Sequence, residues 1–244
     1  MKYQKFFIPS GETGVRLEVV SAKPQHDGPY PTIIFNHGST GRGQNKALYS
    51  RTICPAVIGN YFVERGWMAL FPQRRGRGKS EGVYGEGLAS DGSGYSCNVE
   101  VAIAGFERAV EDVDAVVRHL RERSDVDQDQ LVIGGISRGG ILAIAYAGIR
   151  SNTFRGAINF NGGWLGRGCP SHEIVNPLIF ERGASSGIST LWLHGSYDQY
   201  YRIGHCRGNF ERFQSAGGQG KFVAAPMGHA LMFKPALWKD HLDQ

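Results

Sequence analysis

The pentapeptide Gly135-Ile136-Ser137-Arg138-Gly139 restricts what this chain can fold into more than any other stretch. The apolar run Leu131-Val132-Ile133 precedes it, and a small-residue segment over 139–149 follows with helical character. A serine between glycines at a strand-to-helix junction occupies a turn so sharp that larger neighbours would collide with strand and helix. The bend leaves the hydroxyl exposed above a helix amino terminus. On its own the pattern is weak, since a glycine-rich turn can carry an incidental serine. Its position directly after a buried strand favours the functional reading.

The flanking pattern supports that placement. Residues 2–8 and 15–20 read as two opening strands around a Pro9-Ser10-Gly11 turn, suited to an antiparallel edge. Thr32-Ile33-Ile34-Phe35-Asn36 and Met68-Ala69-Leu70-Phe71-Pro72 are continuous apolar runs, the signature of strands buried on both faces. Over 99–123 the residues Val99, Ile103, Phe106, Val110, Val113, Val117 and Leu120 recur at three- and four-residue steps, an amphipathic helix. Strands follow at 156–160, 190–194 and 221–224, with a helix at 209–216. Strands alternating with helices imply an α/β fold with a mostly parallel sheet of about eight strands flanked by helices. The 244 residues, 41% of them hydrophobic, suit a single domain over 1–244. The longest irregular stretches are 76–98 and 162–189, and the second is expected to form at most a short cap insertion.

Composition narrows the possible partners. A net charge of +5 is modest, and the basic residues are scattered apart from Arg74, Arg75, Arg77 and Lys79, so nucleic-acid binding is not expected. No stretch is long and apolar enough to span a bilayer, and the amino terminus lacks a signal-peptide pattern. Cys54, Cys97, Cys169 and Cys206 form no CxxC pair, which argues against a metal site and for unpaired thiols, with a disulfide of Cys97 and Cys169, both in glycine-rich loop sequence, as the alternative in an exported protein. A cytoplasmic protein is expected, with an exported mature chain as the alternative. Monomer and homodimer are not distinguished.

A serine hydroxyl is a poor nucleophile at neutral pH and needs an imidazole to take its proton and a carboxylate to orient that imidazole. At a serine elbow the partners follow in the chain order serine, acid, histidine. Asp198 comes just past the strand Leu191-Trp192-Leu193-His194, and His229 follows Phe222-Val223-Ala224 in the loop after the next strand. Asp112 and Asp114 fall inside the long helix, and Asp125, Asp127 and Asp129 read as loop residues. His194 lies within its strand as a core histidine, whereas His205 is a pocket candidate. Two amides would face a developing oxyanion, those of Arg138 and of Ser39 in Asn36-His37-Gly38-Ser39-Thr40-Gly41. Trp164, Tyr197, Tyr200, Tyr201, Met227 and Phe233 are candidates to line the pocket, with core packing the equal alternative for each. Arg74 and Arg75 are candidates to hold a substrate carboxylate.

Together these segments resemble the α/β hydrolases related to dienelactone hydrolase and to the catalytic domain of prolyl-oligopeptidase-like enzymes. The likeness also takes in Pro72-Gln73-Arg74-Arg75-Gly76-Arg77-Gly78-Lys79-Ser80-Glu81-Gly82 and Glu111-Asp112-Val113, so it runs nearly the whole chain. It implies the α/β-hydrolase fold and a Ser137, Asp198, His229 triad acting without a cofactor on a small-molecule ester. Dienelactone hydrolase uses a cysteine nucleophile, so Ser137 points to ordinary ester chemistry. Oligopeptidases carry a propeller before the hydrolase, and too few residues precede the first buried strand here for one. Esterase activity is therefore expected ahead of peptidase or amidase activity, and both ahead of a non-catalytic binding protein.

Overall fold

The computed structural model describes residues 2–243. Eight strands build a mostly parallel sheet flanked by helices, and the chain divides into two compact units, Met1–Leu131 and Val132–Gln244.

The first unit contains β1 (Lys2–Pro9), β2 (Arg16–Lys23), β3 (Tyr30–Asn36), α1 (Ala56–Val63), β4 (Met68–Pro72) and α2 (Val99–Arg121), and β5 (Val126–Ile136) begins in it. Its strands lie in the order β1-β2-β4-β3. β1 and β2 pair antiparallel, as do β2 and β4, whereas β3 and β4 run parallel. The Asn98 side chain caps α2 by accepting from the Val101 amide, and the apolar stripe Phe106, Val110, Val113, Val117 and Leu120 is buried. In the turn after β4, Gly76 has φ +71°, and a Cβ there would stand 2.2 Å from the Tyr84 amide nitrogen. Only glycine fits that close approach.

The second unit contains α3 (Arg138–Ile149), β6 (Gly156–Phe160), α4 (His172–Glu181), β7 (Ser189–Gly195), α5 (Ile203–Ser215), β8 (Gln219–Ala225) and α6 (Lys239–Leu242). Strands β5, β6, β7 and β8 lie side by side and parallel. Ile136 pairs with Phe160, Phe160 with Leu193, and Leu193 with Val223. The carboxyl ends of these strands therefore open on one edge, where sites form in open α/β sheets. Trp192 is fully buried against Phe180, Phe210 and Phe213 and anchors this half of the core.

Sequence periodicity misses three helices, the four-residue α6 among them. α1 is short, and α4 lies inside the stretch read as irregular and carries Pro177. β5 starts five residues before its apolar run, and Gln128, Asp129 and Gln130 are exposed there, so Asp127 and Asp129 are strand residues rather than loop residues. The expectation of four free thiols is also corrected. Cys97 and Cys169 are disulfide-bonded, whereas Cys54 and Cys206 are free. Disulfides persist in oxidising compartments, so the cysteines no longer favour a cytoplasmic location. Among the described residues no helix is long and apolar enough to cross a membrane.

Buried titratable groups set an expected pH dependence. Burial holds His194 down to about 3 and His205 down to about 4, and burial with Arg74 and Arg77 nearby holds His37 well below its ordinary value. Below roughly pH 6.5 the unfolded chain protonates these three while the folded chain leaves them neutral, so each removes stability as the pH falls. Asp112 works the other way. Burial pushes its carboxyl up to about 6, so the folded state holds a proton there that the unfolded state has released above about pH 4. The histidines outweigh it, and the urea midpoint is expected to fall between pH 7.5 and pH 5. A midpoint that rises over that interval would contradict the balance, and His194→Phe should flatten the decline.

Candidate active site

Ser137 follows β5 directly and begins the turn into α3. Its φ of 57° and ψ of −123° form a conformation that a residue with a side chain adopts only under constraint. Four main-chain hydrogen bonds impose it. The Ser137 amide donates to the Phe160 carbonyl at 2.9 Å, and its carbonyl accepts from the amides of Gly140 (2.9 Å), Ile141 (3.3 Å) and Gly163 (3.2 Å). Close packing beyond the pentapeptide requires further glycines. A Cβ on Gly140 would lie 2.4 Å from Asn159 Oδ1, and one on Gly162 would lie 2.0 Å from it.

Asp198 and His229 leave the same sheet edge from β7 and β8. His229 Nδ1 is 2.7 Å from Asp198 Oδ2, and Asp198 Oδ1 accepts from the amides of Tyr200 (2.7 Å) and Tyr201 (3.2 Å). The Asp198 side chain is almost wholly buried, and that of His229 is one-fifth exposed. An ionised carboxylate offers only acceptors, so the proton of a neutral His229 resides on Nδ1 and Nε2 is left to accept one. The loops that carry the pair are joined by bonds from Tyr197 N to Met227 O (3.0 Å) and from Ser196 N to Ala225 O (2.8 Å). Gly195 permits that approach, since a Cβ there would sit 2.3 Å from the Met227 carbonyl oxygen.

Ser137 Oγ lies 3.5 Å from the Tyr201 hydroxyl, which donates to the Gly163 carbonyl at 2.7 Å. Among the described residues no direct hydrogen bond joins Ser137 Oγ to His229. Serine and base commonly come into line only with substrate bound.

Asn161 was not singled out from the sequence, although it holds the site together. It is fully buried with φ 46°, one residue past β6 and level with Ser137 in the strand register. Its Oδ1 accepts from the Gly195 amide (2.7 Å), and its Nδ2 donates to the carbonyls of His229 (2.9 Å) and Gly228 (3.3 Å). One side chain therefore ties the end of β7 to the His229 loop. The signal was an asparagine before two glycines at a strand end, since asparagine tolerates the left-handed region better than other side chains.

The pocket candidates separate by burial. Tyr197 and Tyr200 are exposed at 75% and 43%, and Phe233 is exposed as well. Trp164 is buried, with the Arg138 guanidinium 4.6 Å from its ring and donating to its carbonyl, so it belongs to the core and not to a lining. Tyr201 is likewise buried, and only its hydroxyl reaches Ser137. His205 lies on α5, its ring 4.6 Å from that of His172 and its Nε2 3.1 Å from Asn176 Nδ2. Asn176 in turn fixes the main chain at Trp164 and Leu165, so His205 supports a loop.

In the first unit, Arg74 and Arg75 are not free to take a substrate carboxylate. Arg74 is buried and ion-paired with Glu86, and Arg75 contacts Glu12, Glu111 and Asp112. Buried guanidinium groups are held with their own counterions, and these two have theirs. Ser39 lies in the irregular stretch after β3, with its Oγ 3.5 Å from the Gly41 carbonyl. Among the described residues no group of three His, Cys, Asp or Glu is arranged to hold a metal ion.

Ser137 follows β5, Asp198 follows β7 and His229 follows β8, and solved structures of the α/β-hydrolase fold match along almost the whole chain. The chain has the α/β-hydrolase fold. The esterase Pf2001 of Pyrococcus furiosus superposes with a TM-score of 0.69 at 16% identity, covering 99% of this chain and 88% of that one. The acylaminoacyl peptidase of Pyrococcus horikoshii superposes at 0.67 with 16% identity, covering 96% of this chain but 38% of the peptidase. The family model described as serine aminopeptidase, S33, matches residues 52–164 of this chain. Proline iminopeptidase aneH of Aspergillus aculeatus is 26% identical over 127 residues, 52% of this chain. This chain spans about a quarter of that relative, 27% of its length.

Proposed function

We propose that this chain is a serine hydrolase that cleaves carboxylic esters through an acyl-enzyme on Ser137. The observation that carries the proposal is the His229 to Asp198 contact of 2.7 Å, with the second carboxylate oxygen held by two amides, at the sheet edge that also presents Ser137. His229 accepts the Ser137 proton as Oγ attacks the ester carbonyl and returns it to the leaving alcohol, and water then releases the acid by the same steps. Asp198 stabilises the imidazolium formed midway. The Arg138 amide at the start of α3 is assigned to the oxyanion.

Ester preference is supported by the match to an esterase of similar length, whereas the peptidase match takes in under half of its partner. The peptidase reading has its own support in the aminopeptidase family model and the iminopeptidase relative. Turnover of p-nitrophenyl butyrate, set beside prolyl and alanyl p-nitroanilides, separates the two. The ester should be cleaved far faster, and a fluorophosphonate probe should label Ser137. Faster anilide cleavage would install the peptidase reading, and absence of both labelling and turnover would leave a non-catalytic protein.

A further inference from the structure

Tyr200 stands beside His229, its ring centroid 4.8 Å from the imidazole and its plane turned by 70°. Its backbone is fixed at both ends, the amide by Asp198 Oδ1 and the carbonyl by the Arg167 amide at 2.9 Å. The side chain nevertheless remains 43% exposed, whereas that of its neighbour Tyr201 is buried. Among the described residues the Tyr200 hydroxyl has no hydrogen-bond partner. A large ring left in the open on a fixed backbone adds little to stability, because apolar surface contributes only when it leaves water.

The reaction chemistry says which part of a substrate meets this ring. In serine acyl transfer the imidazole hands its proton to the leaving oxygen, so the alcohol half of the ester lies against the histidine and the acyl half extends away. A rigid surface touching His229 is therefore a surface for the alcohol. We propose that Tyr200 is the platform for the alcohol half of the substrate and that this alcohol carries a flat aromatic ring. Aromatic rings attract one another in offset or edge-on contact at centroid separations of about 4.5–7 Å, and a backbone already fixed avoids the cost of ordering the platform on binding. The proposal rests on the ester reading and adds the leaving-group class to it.

The test compares benzyl butyrate with ethyl butyrate, which share an acyl group, in the wild-type protein and in Tyr200→Ala and Tyr200→Phe. The ratio of kcat/KM for benzyl over ethyl is expected to drop about three- to tenfold in Tyr200→Ala and to hold in Tyr200→Phe. A ratio unmoved in Tyr200→Ala, with both esters slowed alike, would mean that the ring only steadies His229 and would overturn the platform. Saturation-transfer NMR with benzyl alcohol gives a readout that needs no turnover. Signal lost in Tyr200→Ala would keep the platform even if neither ester were cleaved, in which case the ester reading alone falls. Signal equal in all three proteins would overturn the platform.

Discussion

Ser137→Ala and His229→Ala are each expected to lower kcat for p-nitrophenyl butyrate by about 10⁵- to 10⁶-fold, and the double variant should lose little more. The reason is that in the proposed mechanism the two act as one device. Without the imidazole the hydroxyl keeps its proton, and without the hydroxyl the imidazole has nothing to activate, so the first deletion already removes what the second would. Asp198→Asn should cost about 10⁴-fold by a different route. The amides of Tyr200 and Tyr201 donate to Oδ1, so an asparagine would turn its oxygen toward them and its NH₂ toward His229 Nδ1. His229 would then carry its proton on Nε2, the atom that must accept from Ser137. Single-turnover rates and circular dichroism on the four proteins separate chemistry from misfolding. Multiplying losses in the Ser137, His229 double variant would show that the residues do not work as a unit, and a Ser137→Ala protein with full activity would remove the triad altogether.

The parts of this site legible in the sequence are those with a local cause. Parallel strands announce themselves as apolar runs, and five of the six so read lie inside observed strands of closely similar extent; burial on both faces leaves no room for polar residues in a strand such as β4, whereas the edge strand β8 is largely open. The sixth, β5, extends well before its apolar run, since Gln128 to Gln130 are solvent-exposed and look like loop. Ser137 could be placed because its turn needs small residues on both sides. The disposition of the other side chains depends on distant partners. Arg74 resembles a ligand-binding cation until Glu86, twelve residues on, is seen to neutralise it. Trp164 and Tyr200 are both aromatic residues in loops after strands, yet one is packed beneath Arg138 and the other stands open, and nothing local to either residue predicts the difference. α4 was invisible for a similar reason. Its buried residues Val175, Ile179 and Phe180 make a narrow stripe, and Pro177 within it reads as a break.

Asn161→Ala is expected to destabilise the protein by about 2–4 kcal/mol and, in the protein that remains folded, to lower kcat by about 10- to 100-fold. The stability loss has two sources. The substitution strands the buried Gly195 amide, an unmatched group costing about 1–3 kcal/mol, and takes the Nδ2 donor from the part-buried His229 carbonyl, whereas the Gly228 carbonyl keeps the Leu231 amide. It also asks alanine to hold a φ of 46°, where asparagine is far more at ease. The catalytic loss follows from what Nδ2 grips. The His229 carbonyl belongs to the proposed base, so without the tether the imidazole depends on Asp198 and on its ring contacts with Tyr200 and Tyr201, and a displacement near 1 Å at a proton-transferring group is costly. Asn161→Asp separates the two effects. It keeps an acceptor for Gly195 but turns both donor contacts into repulsions when ionised, and its burial raises its folded pKa. Its deficit should therefore shrink as the pH falls and the protonated carboxyl regains a donor for the His229 carbonyl. Urea melts of both variants at pH 7.5 and 5.5, with kcat measured well below each melting midpoint, decide the matter. An alanine variant within about 0.5 kcal/mol of wild type, a value typical of neutral surface changes, would show that Asn161 does not hold the His229 loop.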